Sequence, residues 1–254
     1  MSGSLVSCVA RPKIYALAAF SLVSANQTLG VLVGQFGTGS RAGAMLYGFE
    51  CMWPAAVALS FEIMGSLFWI CAGASAVTRL APLVRGQYLA IAKASGGRPV
   101  RIAGVLSLGL VIHAMFLWVA ALVPTGMLCV VFCGSETSGL PSYAGAPVLL
   151  LVLVQPLMLC IFASAVGAIA LLVSKSEVFG IAIGPVAHLL LGWAPMLFSE
   201  DVPLLQWFSG SLVLPTTISG LTVLMIEEAV IAALAVLALY AIVAVVPLGI
   251  VRRG

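Results

Sequence analysis

Long apolar runs alternate with short polar interruptions along the whole chain, and the runs have the length of bilayer crossings. A helix needs about 20 mostly apolar residues to cross hydrocarbon. Six windows meet this requirement, at about 14–34, 54–77, 102–124, 148–173, 178–198 and 221–250. The pattern predicts an all-α, polytopic integral membrane protein with six transmembrane helices. No repeat, low-complexity tract or linker divides it, so residues 1–254 read as one domain.

The interruptions differ in kind. Ser174 to Glu177 is a short turn, whereas Arg79 to Arg101 reads RLAPLVRGQYLAIAKASGGRPVR, with five basic residues and no acid. If Pro82 opens a helix there, Leu80, Val84, Tyr88 and Ile91 share one face and Arg85 and Lys93 lie opposite. Gly96-Gly97 would end that helix, and Pro99 would restart the chain as the third span. On the other side, Pro124 to Pro147 holds an apolar piece, Met127 to Cys133, too short to cross and expected to be a break or an interfacial helix. Glu200 to Gly220 carries Trp207, Phe208 and Pro215 and reads as an interfacial or re-entrant element.

Composition agrees with a bilayer environment: 63% of residues are hydrophobic, 7% are charged, and the mean hydropathy is +1.23. The net charge of +3 has no soluble domain on which to gather, which argues against nucleic-acid binding. Charge instead reports orientation. Threading from a cytoplasmic N-terminus puts ten of the 11 basic residues inside and leaves only Arg41 outside. That bias predicts cytoplasmic termini at both ends.

Among the six cysteines, neither paired spacing nor histidine neighbours suggest a metal site, so they read as small packing residues. Small residues four apart, Gly30 with Gly34 and Gly180 with Gly184, are expected to let helices approach closely. Ionisable groups inside the spans are Glu62, His113, Glu227 and Glu228. A charge at the bilayer centre costs about 3 kcal/mol on insertion scales, so each needs a partner or a role. Counting residues from the span ends puts Glu62 and His113 at comparable depth, where they would form a pair if they faced one another. Adjacent helical positions point about 100° apart, so at most one of Glu227 and Glu228 faces the bundle interior. Asn26-Gln27-Thr28 and Gln155 are expected to form interhelical hydrogen bonds.

The order of these elements resembles the ABC-2 class of ABC-transporter permeases, in particular the small subunits of lantibiotic immunity and export systems. The resemblance is carried by Arg11-Pro12-Lys13, the Trp53-Pro54 entry to the second span, the segment RGQYLAIAKASGGRPVR, the turn Ser174 to Glu177, the aromatic outer segment before the sixth span, and Arg252-Arg253. It implies a multi-pass protein of a prokaryotic plasma membrane that exports or expels an amphiphilic substrate such as an antimicrobial peptide. Partners implied are a cytosolic ATP-binding cassette subunit and a second permease chain, homo- or heterodimeric. In that family the first inner loop is the coupling helix. By resemblance, Arg85, Gln87, Tyr88, Lys93, Arg98 and Arg101 would dock on the ATPase, although the acid often found early in the loop is replaced here by Gln87.

No GxxxxGK[ST] phosphate loop occurs, so no cofactor is expected in this chain, and ATP and Mg would sit on the partner subunit. A membrane gate or structural subunit of a multi-protein export machine is the alternative. An intramembrane serine protease built on Ser75 and His188 is disfavoured, because Ser75 lies near one end of its span and His188 near the middle of its own.

Overall fold

Apolar side chains at every turn of six segments leave the backbone no water to bond with, and in such surroundings the helix satisfies each N–H and C=O internally. The computed structural model describes residues 14–32, 53–85, 98–133, 146–197, 207 and 218–245. Among these residues the chain is all helical. The helices are α1 (Ile14–Val31), α2 (Trp53–Arg85), α3 (Pro99–Cys133), α4 (Ala146–Ser174), α5 (Glu177–Leu197) and α6 (Ile218–Val245). Five are long and apolar enough to cross a membrane, and α5 is apolar over Glu177–Leu190.

Two boundaries differ from the sequence expectation. Pro82 does not open a separate surface helix but lies inside α2, which continues to Arg85. Likewise Pro124 lies inside α3, and Met127 to Cys133 extends that helix without a break. Packing outweighs the hydrogen bond that each proline removes. Leu80, Ala81 and Leu83 are buried around Pro82, and Ala121, Thr125 and Cys129 around Pro124. Pro99 does begin α3, as its fixed backbone angle favours.

Contacts between neighbours show successive helices alternating in direction. Val77 and Trp69 of α2 meet Gly180 and Gly184 of α5 in reversed order, while Ala72 and Gly73 of α2 meet Ser164 and Gly167 of α4 in the same order. Arg85, Arg98, Arg101 and Lys175 therefore gather at one end of the bundle, here termed the basic end. Between α4 and α5, the turn is held by Ser174, whose Oγ donates to the Ala170 carbonyl at 2.6 Å, and by Lys175 at φ 57°, in the left-handed conformation common after a helix C-terminus.

α2 and α4 form the spine. α5 lies across both, α6 packs on α4 and α3, and α1 packs on α3 and α2. The core has two layers along the axis. Leu80, Ile102, Leu106, Leu171 and Leu239 fill the basic half, and Phe20, Phe61, Phe68, Trp69 and Leu159 fill the other. Large apolar side chains such as Leu108, Phe116, Leu189 and Leu234 remain on the outside, where lipid would cover them.

The spine closes tightest where two glycines meet. A methyl group on Gly167 would stand 2.9 Å from the Gly73 carbonyl oxygen and 3.1 Å from its Cα. A methyl group on Gly180 would stand 3.0 Å from the Val77 side chain, and one on Gly184 3.2 Å from the Trp69 carbonyl oxygen, so that pair does mark a packing seam. Gly30, in contrast, has nothing within 4 Å, and Gly34 lies outside the described residues.

Substituting Gly167→Ala is therefore expected to force α2 and α4 apart and cost about 1 to 3 kcal/mol, the usual range for overpacking. Gly30→Ala, in open surroundings, should be neutral or stabilising by up to about 1 kcal/mol through helix propensity. Thermal unfolding of the two variants in the same detergent checks the difference; equal midpoints would contradict the close crossing.

Candidate functional site

Besides Ser164, whose Oγ donates to the Ala72 carbonyl of α2, three groups of polar side chains bridge helices that the apolar pattern alone does not pair. The first joins α1 to α3. Ser21 Oγ donates to the Ala120 carbonyl at 2.8 Å, and the Thr28 and Thr125 hydroxyls lie 3.0 Å apart. Thr28 thus makes the interhelical bond expected of the polar run in α1, whereas Asn26 points outward and is exposed.

The second lies at the waist between the two apolar layers, about half a turn from the Gly73–Gly167 contact. Ser75 Oγ stands 2.6 Å from His113 Nε2, and His113 is 1% exposed. Arg79 lies one turn along α2 from Ser75, on the same face. Residue counting from the span ends suggested similar depths for Glu62 and His113. The structure puts His113 level with Ser75, which is thirteen positions, or about 20 Å of helix, from Glu62. The count misled because α2 and α3 run past residues 77 and 124, where the apolar windows ended. Nothing is described of the Glu62 side chain, although its backbone belongs to α2.

A hydroxyl touching an imidazole is the contact from which nucleophilic catalysis starts. Here, however, Ser75 sits within an unbroken helix whose backbone N–H groups are already bonded, leaving none to stabilise an oxyanion. No third group meets His113 Nδ1 among the described residues. The geometry is that of a clasp between α2 and α3. It is also His113, and not His188, that Ser75 meets.

The third group lies toward the opposite end, between α4 and α6. Gln155 Nε2 donates to Glu228 Oε1 at 2.8 Å, and the Trp207 indole N–H donates to the Gln155 carbonyl at 3.3 Å. Glu228, Gln155 and Trp207 are 0%, 2% and 1% exposed. Glu228 Oε2 meets no partner among the described residues. Glu227, its neighbour, is exposed on the outer surface of α6 between Ile226 and Val230, so the 100° rule decides the pair as expected: one acid in, one out. Aromatic rings extend this group, with Trp207 and Phe162 centroids 6.0 Å apart and Phe162 and Trp69 5.4 Å apart in a T-shaped pair. Gln155 stood out in the sequence as an amide at lipid depth; nothing there tied it to Glu228, 73 residues away.

Among the six docking candidates, Arg98 and Arg101 lie exposed at the start of α3 and Arg85 ends α2, while Gln87, Tyr88 and Lys93 lie outside the described residues. At the same end, Ala81, Val84, Leu171, Lys175, Glu177 and Val178 border a recess of about 300 Å³ between the end of α2 and the α4–α5 turn. No group of three or more His, Cys, Asp or Glu side chains able to hold a metal occurs among the described residues.

Replacing Gln155 by an apolar side chain takes away the one hydrogen bond seen at the buried Glu228 carboxyl among the described residues, whereas replacing both removes the polar groups together. Gln155→Leu is expected to cost about 1 to 3 kcal/mol, and the double replacement Gln155→Leu with Glu228→Leu much less than the sum of the single changes. Thermal unfolding of the four-member cycle measures the coupling; simple additivity would contradict the bond. Comparison with protein-family models, with curated proteins and with solved structures returns no match for this chain.

Proposed function

We propose that the chain is the membrane-spanning subunit of an ABC-type transporter of a prokaryotic plasma membrane, moving an amphiphilic substrate with energy from a separate cytosolic ATPase. One observation carries this reading. α2 and α3, of 33 and 35 residues, are about 50 Å long, well beyond the ~30 Å of hydrocarbon, and both converge on the basic segment at one end. Two helices joined in this way act as struts. A push on the segment between Arg85 and Arg98 is delivered at the waist, where Ser75 and His113 clasp them and Gly73 meets α4.

In this reading all six helices span, and the basic end faces the cytoplasm in keeping with the positive-inside bias. Arg85, Gln87, Tyr88, Lys93, Arg98 and Arg101 form the docking surface. ATP and Mg belong to the partner, and a second permease chain completes the path. Pro82, one turn from the end of α2, frees one backbone carbonyl there and supplies a bending point next to the docking segment.

Two measurements test it. A tagged chain purified from its native membrane should bring down an ATPase in fixed stoichiometry; recovery only with a secretion apparatus would replace this reading with that of a gate subunit. Reversing Arg85 and Lys93 to Glu together should leave membrane insertion intact and weaken ATPase docking and transport by roughly tenfold or more, because the docking surface would exchange two positive charges for two negative ones. Unchanged transport would remove the docking assignment.

A further inference from the structure

We propose that Glu228, Gln155 and the Trp207–Phe162 aromatic pair form a binding site for an organic ammonium group, the cationic head of an amphiphile. Glu228 Oε2 is the atom that points to a ligand. In a site that is 0% exposed, an ionised carboxyl has one oxygen held by the Gln155 amide and one held by nothing among the described residues. A neutral carboxylic acid fares no better, since its O–H would find no acceptor at the same place among the described residues. Either state leaves a polar group without a described partner in an apolar core, where an unpaired group costs about 1 to 3 kcal/mol. A ligand carrying N–H and positive charge removes the deficit in one step.

The surroundings select the kind of cation. An alkali ion prefers a shell of several oxygens, whereas the one group seen to bond the Glu228 carboxyl among the described residues is the Gln155 side-chain N–H, a donor. What the site offers beside one carboxylate is aromatic surface: Trp207 and Phe162 at 6.0 Å, with Trp69 standing edge-on to Phe162 at 5.4 Å. A carboxylate and aromatic rings in one cluster are the chemistry that binds ammonium groups, the rings attracting the cation through their quadrupoles and packing its alkyl part. The indole N–H bond to Gln155 fixes the Trp207 ring over α4, so the aromatic wall is set before any ligand arrives.

Position fits such a ligand. Glu228 lies ten residues into α6, about 15 Å from its start, within reach of an amphiphile whose tail remains among the lipids. The cluster is closed in this conformation, and α6 must part from α4 to admit the head group. Only the role of the site in transport rests on the ABC reading above; binding by the purified chain does not need an ATPase.

The experiment uses the full chain in lipid nanodiscs, with dodecylammonium as probe and binding followed by intrinsic tryptophan fluorescence and by isotherm. Wild type should bind saturably, Glu228→Gln at least tenfold more weakly, a loss of about 1.4 kcal/mol, and Glu227→Gln like wild type. Glu228→Gln keeps an acceptor for the Gln155 amide, and an unchanged unfolding midpoint would exclude misfolding as the cause. Dodecanol competing as well as dodecylammonium would overturn the proposal in favour of plain apolar binding. So would full competition by sodium chloride, equal binding by Glu228→Gln, or no saturable binding at all. If binding behaves as expected but no ATPase is ever recovered, the site stands and the transporter assignment falls.

Discussion

The contact of Gly73 with Gly167 governs how close α2 and α4 come, and the remaining helices are arranged around that pair. In lipid no hydrophobic gain favours one apolar helix face over another, since acyl chains are as apolar as leucine. Association then depends on van der Waals contact at short range and on polar groups that can be satisfied only across an interface. Two glycines on facing helices let the backbones approach until only the peptide groups separate them. α5 uses the same device with Gly180 and Gly184, so three helices are drawn together by absent side chains.

Hydrogen bonds then set register where packing sets distance. Each of the three polar groups links helices distant in sequence: Thr28 to Thr125, Ser75 to His113, Gln155 to Glu228. They occupy different depths, so sliding any one pair by a turn would strand groups in an interior that offers no water. The clasp at Ser75 and His113 sits beside the glycine contact, at the junction of the two apolar layers. Movement entering at the basic end through α2 or α3 meets both features together, whereas the Glu228 group lies beyond them, toward the opposite end.

Function as read here rests on that separation. The basic end presents arginines and a recess bordered by Lys175. Acid, amide and aromatic rings lie deep between α4 and α6. The two regions share α4, which packs on α2 in the basic half and carries Gln155 and Phe162 in the other.

Much of the fold was legible in the chain, because hydrocarbon permits so few solutions. Runs of apolar residues must be helical to satisfy their own backbones, and all six helices lie where the runs predicted them. The Ser174 to Glu177 turn, the start of α3 at Pro99, the inward role of one of two adjacent acids, and the packing seam at Gly180 and Gly184 were also readable from local chemistry. Hydropathy could not see that α2 and α3 pass through Pro82 and Pro124, since a proline's cost is local while the burial that offsets it comes from neighbouring helices. Nor could it reveal that Glu228 is the buried acid, that Gln155 is its partner, or that His113 meets Ser75 at a depth far from Glu62. Sequence by itself determined where the helices are, because each satisfies its backbone alone. Which side chains meet was decided only by the tertiary structure, because helical faces alike in apolarity are told apart by how closely they pack and by which polar groups they leave unpaired.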